Sequence, residues 1–197
     1  MSFEVKGSSI RSKLEFVEER FGADAEQALI AAVGKTELVR VLEPSWYPYP
    51  HPLYVALLRA IADRHFGGDL SSLQEVGGDT ARRALDTTYR AFRAGTYADF
   101  LSRLSRLHHM LYSEGRSEVV LGEDGTSCRV VLSDKPRFDV EDLQIALGFY
   151  LECGRIYGCH AMRGRFEVAG AEARFDLQWN ERRSRRRLPT LPGSGGR

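Results

Sequence analysis

Two groups of residues in this chain have the chemistry to hold a metal or a cofactor. His108 lies in a run where Tyr97, Leu101 and Leu104 fall on one helical face, and it projects with that stripe; His109 lies roughly 100° away, towards the polar side. A histidine carried on an apolar helix face can offer a ring nitrogen to a metal or to haem iron, against the plainer reading of a core histidine satisfied by a hydrogen bond. Cys128, Cys153, Cys159 and His160 are four soft ligands of the kind zinc takes. Their spacing contains no CxxC pair, and Cys128 falls mid-strand and Cys153 mid-helix, where small buried thiols are ordinary. A third group suits recognition. Trp46, Tyr47, Tyr49 and His51 alternate with prolines in Ser45-Trp46-Tyr47-Pro48-Tyr49-Pro50-His51-Pro52, a stiff extended loop with a large apolar load. Aromatics on such a loop can rim a ligand pocket or meet a partner, or pin the loop to the core by their rings.

Catalytic chemistry has less to stand on. The sequence holds no G-x-S-x-G, P-loop, G-x-G-x-x-G or H-E-x-x-H motif. The adjacent carboxylates Glu123 and Asp124 fall in a turn.

These residues need elements to position them. Ile10, Leu14, Val17 and Phe21 recur at helical spacing, so a helix is expected over 9–21, followed by a second over 24–33 and a short one over 36–42. Pro52 opens a helix reaching His65. Ser72-Leu73-Gln74-Glu75 reads as a capping box for a long helix to Arg93, with Leu73, Gly77, Ala81, Leu85, Tyr89 and Phe92 inward. Another helix is expected over 97–112. The period then changes from 3.6 to 2. Asp124-Gly125 makes a hairpin turn that sets Leu121 opposite Cys128, Val119 opposite Val130 and Ser117 opposite Leu132. Asp139 can cap a helix to about Tyr157 that is apolar on two sides, the pattern of a central buried helix. Its Gly148, Gly154 and Gly158 leave room for another backbone. A second hairpin turns at Gly170-Ala171, pairing Phe166 with Phe175 and Val168 with Ala173, and placing Glu167 opposite Arg174 and Arg165 opposite Asp176.

The fold expected is therefore α+β: helices packed on an antiparallel sheet of about four strands formed by two C-terminal hairpins. With 197 residues, 43% hydrophobic and 28% charged, the chain reads as one globular domain over 1–180 and a disordered Arg-rich tail over 181–197. The net charge of +1 divides unevenly. The tail carries six Arg and one Glu, while the body holds 22 basic and 26 acidic side chains and does not call for nucleic acid. The run Arg182–Arg187 could meet nucleic acid or anionic lipid, against the plainer reading of a solvated tail. Three cysteines, the lack of an apolar leader and the lack of a long apolar run point to a cytoplasmic protein with no membrane span.

The order of several short pieces resembles a myxobacterial family of paralogous, roughly 200-residue uncharacterised proteins. The pieces are Gly7-Ser8-Ser9-Ile10-Arg11, Trp46-Tyr47-Pro48, Gly68-Asp69 with Leu73 and Gly77, Tyr112-Ser113-Glu114-Gly115, Glu152-Cys153-Gly154 and Trp179. At fold level the chain is similar to haem–nitric-oxide-binding sensors, 4-vinyl-reductase-type domains and transport-protein-particle (TRAPP) subunits. That resemblance implies an apolar pocket between helices and sheet, or a dimer. The haem sensors carry a Tyr-x-Ser-x-Arg signature for the haem propionates. Tyr112-Ser113-Glu114-Gly115-Arg116 has the same residue types at a different spacing, so Tyr112 and Arg116 join His108 as cofactor-binding candidates without completing the motif.

The function expected is that of a non-enzymatic regulatory or signalling module which binds a small apolar ligand or a protein partner, as a dimer, with no cofactor. The alternatives are a haem- or metal-containing sensor using His108, with zinc at the cysteines, and an enzyme whose site follows no known pattern.

Overall fold

The computed structural model describes residues 3–34, 47–87 and 89–180, without the side chains of residues 105, 107 and 110. The helix expected over 36–42, Trp46 and the Arg-rich tail lie outside the described residues. The chain begins with β1 (Glu4–Lys6) and runs into α1 (Gly7–Phe21) and α2 (Ala23–Val33). Next come β2 (Pro48–Pro50), α3 (His51–His65), α4 (Leu73–Asp86), α5 (Tyr97–Ser102) and α6 (Leu104–Leu111). The last third is β3 (Arg116–Leu121), β4 (Ser127–Ser133), α7 (Val140–Ile156), β5 (His160–Ala169) and β6 (Glu172–Asn180).

The α+β architecture matches the expectation. Strands β3 to β6 form one antiparallel sheet in the order β3-β4-β6-β5. Both hairpins adopt the register that the alternation dictates, with Leu121 opposite Cys128, Val119 opposite Val130, Phe166 opposite Phe175 and Val168 opposite Ala173. Period two sends Cys128, Val130, Leu132, Ala173, Phe175, Leu177 and Trp179 to one face, and that face is buried. Of the two expected charge pairs, Arg165 reaches Asp176 at 3.5 Å. Arg174 turns instead to Glu172, its neighbour on the same strand face, at 2.9 Å.

Helix α7 is central. Leu143, Leu147, Tyr150 and Leu151 pack into the core under the sheet, while Ile145 joins a second core built from α1, α3 and the start of α4. Its crossing with α4 is made close by glycine on both sides. A Cβ at Gly77 would stand 2.1 Å from the Ile145 carbonyl oxygen, and one at Gly148 would stand 2.1 Å from that of Gln74. Gly154 meets the Met162 side chain rather than a backbone, and Gly158 faces open space.

Four local expectations are corrected. Residues 48–50 are a short strand paired with β1, since Tyr49 sits opposite Val5 and both are buried. Ser72 makes no cap; Asp69 accepts from the Ser71 amide at 2.9 Å and closes a short 3₁₀ turn before α4. The long helix ends at Asp86 and not at Arg93, where the Thr87 hydroxyl takes the Arg83 carbonyl at 2.7 Å. Tyr89 and Phe92 still point inward, on a 3₁₀ turn. The helix expected over 97–112 is likewise two helices, because the Ser102 hydroxyl bonds the Asp99 carbonyl and the Arg103 amide closes back on Phe100.

Candidate functional site

A cavity of about 420 Å³ lies between α1, α4, α6 and α7. That falls in the range of ~300–1,000 Å³ typical of small-molecule sites. Its walls are largely apolar, from Leu104, Leu111, Ile145, Ala146 and Phe149. Polar groups line it as well: His108 from α6, Tyr112 just beyond it, Lys13, Arg11 and Glu15 from α1, and Thr80 and Arg83 from α4. Glycine contact lets α4 approach α7 so closely that both helices can share this wall.

His108 is buried, as its place on the apolar stripe required. Its Nε2 lies 3.3 Å from the Glu114 carbonyl oxygen. A carbonyl only accepts, so Nε2 carries the proton and Nδ1 keeps its lone pair in the neutral ring. Burial first, and then the positive charge of Lys135, push the His108 pKa down to about 4, so the ring is neutral at neutral pH. Tyr112 stacks on it with centroids 5.1 Å apart. The turn beneath needs glycine. Gly115 has φ +101°, and a Cβ there would stand 2.9 Å from His108 Nε2 and 2.5 Å from the Lys135 side chain.

Behind Tyr112 lies a buried ionic network centred on Asp142. This carboxylate accepts from the Tyr112 hydroxyl at 2.6 Å and from Lys135 Nζ at 3.1 Å, and His51 Nε2 lies 3.5 Å away. Burial works to raise the Asp142 pKa, but Lys135, His51 and Tyr112 together outweigh it and hold the carboxyl below its ordinary range. On its other side His51 faces Asp139, with Nδ1 3.6 Å from a carboxylate oxygen. Lys135 Nζ also sits 4.2 Å from the centre of the Tyr112 ring. Phe3 stacks on His51 at 4.1 Å and completes the apolar casing.

Lys13 is the second buried cation. It sits one helical turn after Ile10, inside the apolar stripe of α1. Its Nζ donates to the hydroxyls of Ser12 at 3.2 Å and Thr80 at 3.1 Å. Burial lowers its pKa to about 8, partly opposed by the more distant Asp142 and Asp79.

The structure brings His108 and Tyr112 together on the cavity wall. Arg116 is exposed and pairs with Asp134 at 3.1 Å, away from that wall. Tyr49 and His51 are buried in the N-terminal core and Tyr47 is half-buried, with its carbonyl accepting from the Gly7 amide at 2.8 Å. Cys128, Cys153 and Cys159 are buried free thiols, and His160 is exposed at the start of β5. Burial pushes the Cys128 thiol up to about 12. Among the described residues no group of three or more His, Cys, Asp or Glu side chains is arranged to hold a metal ion. Lys13, Lys135, Asp139 and Asp142 were not expected from the sequence. A lysine three residues after Ile10 was a visible signal for the first. Asp142 carried no such signal, because its partners Tyr112 and His51 are distant in sequence.

An α+β domain with its helices around a largely apolar cavity is the class that fold and site define. Among solved structures this chain is similar to an Fe(II) unliganded H-NOX protein from K. algicida. The TM-score is 0.71 at 13% identity, over 91% of this chain and 98% of that one. It is also similar to an S. oneidensis H-NOX protein in the Fe(II)NO ligation state, with TM-score 0.71 and 10% identity over 89% of this chain and 99% of that one. A third structure, on modulating haem redox potential through protein-induced porphyrin distortion, matches with TM-score 0.66 and 12% identity over 88% and 98%. No family model matches the sequence, and no curated protein does. The similarity to haem–nitric-oxide-binding sensors therefore holds at the level of fold. It also corrects the expectation of no cofactor, since the solved proteins that share this fold are Fe(II) and haem proteins. No helix among the described residues is long and apolar enough to cross a membrane.

Proposed function

We propose that this chain is a ligand-binding sensor domain whose cavity would take a haem, with His108 as the side chain that would hold its iron. The observation that carries this reading is a buried neutral imidazole on the wall of an apolar cavity, in a fold shared with H-NOX proteins. The donor set fits. Hydrogen bonding of one ring nitrogen to a backbone carbonyl is the usual way a protein fixes the tautomer of a ligating histidine. The Glu114 carbonyl does this to Nε2 and leaves Nδ1 as the basic nitrogen. Tyr112, locked by Asp142, holds the imidazole plane by stacking. Leu104, Leu111 and Phe149 offer an apolar surface to the macrocycle. When bound, the haem would supply an iron able to bind a diatomic gas. The Tyr-x-Ser-x-Arg signature is not present in the sequence, so the propionates of a haem here would need other cations.

Titration of the purified protein with hemin tests this. A Soret band saturating at one haem per chain, with its position changed in His108→Leu, is the expected result. Saturation without any difference in His108→Leu would remove His108 as the ligand, and no saturable band would remove the haem.

A second reading keeps the cavity and dispenses with iron. Its apolar lining suits a small apolar ligand, as expected of a regulatory module. Native mass spectrometry separates the two by the mass that leaves with the protein. The same spectrum reads whether copies pair, as the regulatory reading expects.

A further inference from the structure

Lys13 has no role in the axial chemistry of His108, yet it is among the most deeply buried side chains in the molecule. It lines the same cavity. An ammonium group removed from water needs a counter-charge, and breaking or omitting that pairing is among the costlier defects a fold can carry. Lys13 forms no salt bridge with any described carboxylate. Its partners are the neutral hydroxyls of Ser12 and Thr80, and the Tyr54 ring centre lies 5.8 Å from Nζ. The basic neighbour on α4 is not available to share the task. Arg83 is taken up by Asp79 and Glu19, each at 2.5 Å, and by Glu15 at 3.7 Å. The wall acid Glu15 is thereby spent as well.

We infer that the ligand of this cavity is an apolar molecule bearing a carboxylate or similar oxyanion, and that Lys13 receives that group. The inference rests on the cavity being a ligand site, but not on ligation by His108. Three features support it together. The cavity is apolar, so the body of the ligand is apolar. The cation is inside, so the acidic group enters with the ligand. Ser12 and Thr80 already hold Nζ, so little side-chain freedom is lost on binding. With a lowered pKa of about 8, the amine is still mostly protonated at neutral pH, and an anion beside it would restore the charge fully. A haem propionate and the carboxylate of a fatty-acid-like chain are two sources of the same chemistry.

Fluorescence titrations distinguish these sources. The probes are metal-free protoporphyrin IX and its dimethyl ester, and dansylaminoundecanoic acid and its methyl ester. Each is titrated into the wild-type protein and Lys13→Met, an unbranched apolar replacement that fills similar space. The porphyrin carries no iron, so ligation by His108 plays no part. At least one acid is expected to bind the wild type about tenfold or more tightly than its own ester. That preference should vanish in Lys13→Met, with the ester's affinity changing by less than twofold. The acid that shows the preference identifies the source. Equal affinity of acid and ester in the wild type would overturn the assignment without any variant, as would an unchanged acid preference in Lys13→Met. If neither acid nor ester of either pair binds, the cavity is not a ligand site and the inference falls with it. A hemin Soret band that depends on His108 but shows no Lys13 effect would leave the haem reading standing and overturn this one.

Discussion

Replacing Asp142 by Asn keeps the shape of the side chain and removes its charge. In the wild type this carboxylate accepts from Tyr112 at 2.6 Å and Lys135 at 3.1 Å, with His51 at 3.5 Å. The Lys135 and Asp142 side chains are both almost wholly buried, so water cannot take over. An amide can still accept from Tyr112, but it then turns an NH₂ towards an ammonium group that also only donates. Lys135 is left as an uncompensated buried cation. Losing one partner of a buried ion pair typically costs about 3–5 kcal/mol. With a urea m-value near ~2 kcal/mol/M, the unfolding midpoint should fall by roughly 1.5–2.5 M. Urea unfolding followed by far-UV circular dichroism measures this. The double variant Lys135→Met/Asp142→Leu should recover more than half of the loss, because an apolar pair of similar volume tolerates the site. The acid limb gives an independent check. The folded pKa of Asp142 lies below its unfolded value, so its contribution is complete above pH ~4 and is lost as pH falls further. Wild-type stability should therefore drop more steeply below pH ~4 than that of Asp142→Asn. A midpoint change under about 0.5 M, or equal acid limbs, would show that the network does not hold this region together.

His108 should remain neutral from pH 8 to 5 and titrate near 4, read from its ring resonances in two-dimensional NMR. The unfolded ring titrates near ~6.5, so this histidine costs no stability above that pH and makes the fold less stable as pH falls from ~6.5 towards about 4. A native ring titrating near 6.5 would mean that His108 is not desolvated on the cavity wall. Gly77→Ala should destabilise by more than about 2 kcal/mol, because its Cβ would stand 2.1 Å from the Ile145 carbonyl and the α4–α7 crossing must widen. Gly78→Ala, one residue along, meets only the Glu152 side chain at 3.5 Å and should gain about 0.5–1 kcal/mol from helix propensity. Similar thermal shifts in the two variants would refute the close crossing.

Residues whose neighbours are set by local periodicity were legible in the sequence. The two hairpins are the clearest case, since Asp124-Gly125 and the alternating strands fix a register that a one-residue slip would invert. The two apolar faces of α7 likewise announced a central helix. Helix ends were less legible. They depend on single hydroxyls, such as Thr87 and Ser102, competing for a backbone carbonyl. In the site, His108 was legible because a polar residue on an apolar stripe stands out. Asp142 was not, because Tyr112, Lys135 and His51 reach it from 30, 7 and 91 residues away. The Trp46–His51 segment read equally as a rim for a ligand or partner and as a loop pinned to the core by its rings, because aromatics and prolines suit a loop. Its described part is instead a short strand leading into a buried histidine.

The ionic network beside the cavity answers a mechanical need. Helix α6 has only eight residues, Leu104–Leu111, and an isolated helix shorter than ~12–15 residues is marginal. It also borders a cavity, so part of its apolar face lacks packing partners. Leu104 anchors its start in the core beneath the sheet, and polar bonds hold its C-terminal end. The Tyr112 amide closes the helix on the His108 carbonyl at 3.0 Å, and the Tyr112 hydroxyl ties that end to Asp142 on α7. Ser113 donates its amide to the Glu4 carbonyl at 3.2 Å and accepts from the Glu4 amide at 3.0 Å, joining the same end to β1. His108 is thus held from one side by directional polar bonds, while the cavity in front of it stays free of side chains that would otherwise do the holding. A wall built in this way can keep an imidazole in place without filling the space that a ligand needs. Removing the Tyr112 hydroxyl should loosen His108 more than it unfolds the domain, because the cores beneath the sheet and around α3 do not pass through that bond.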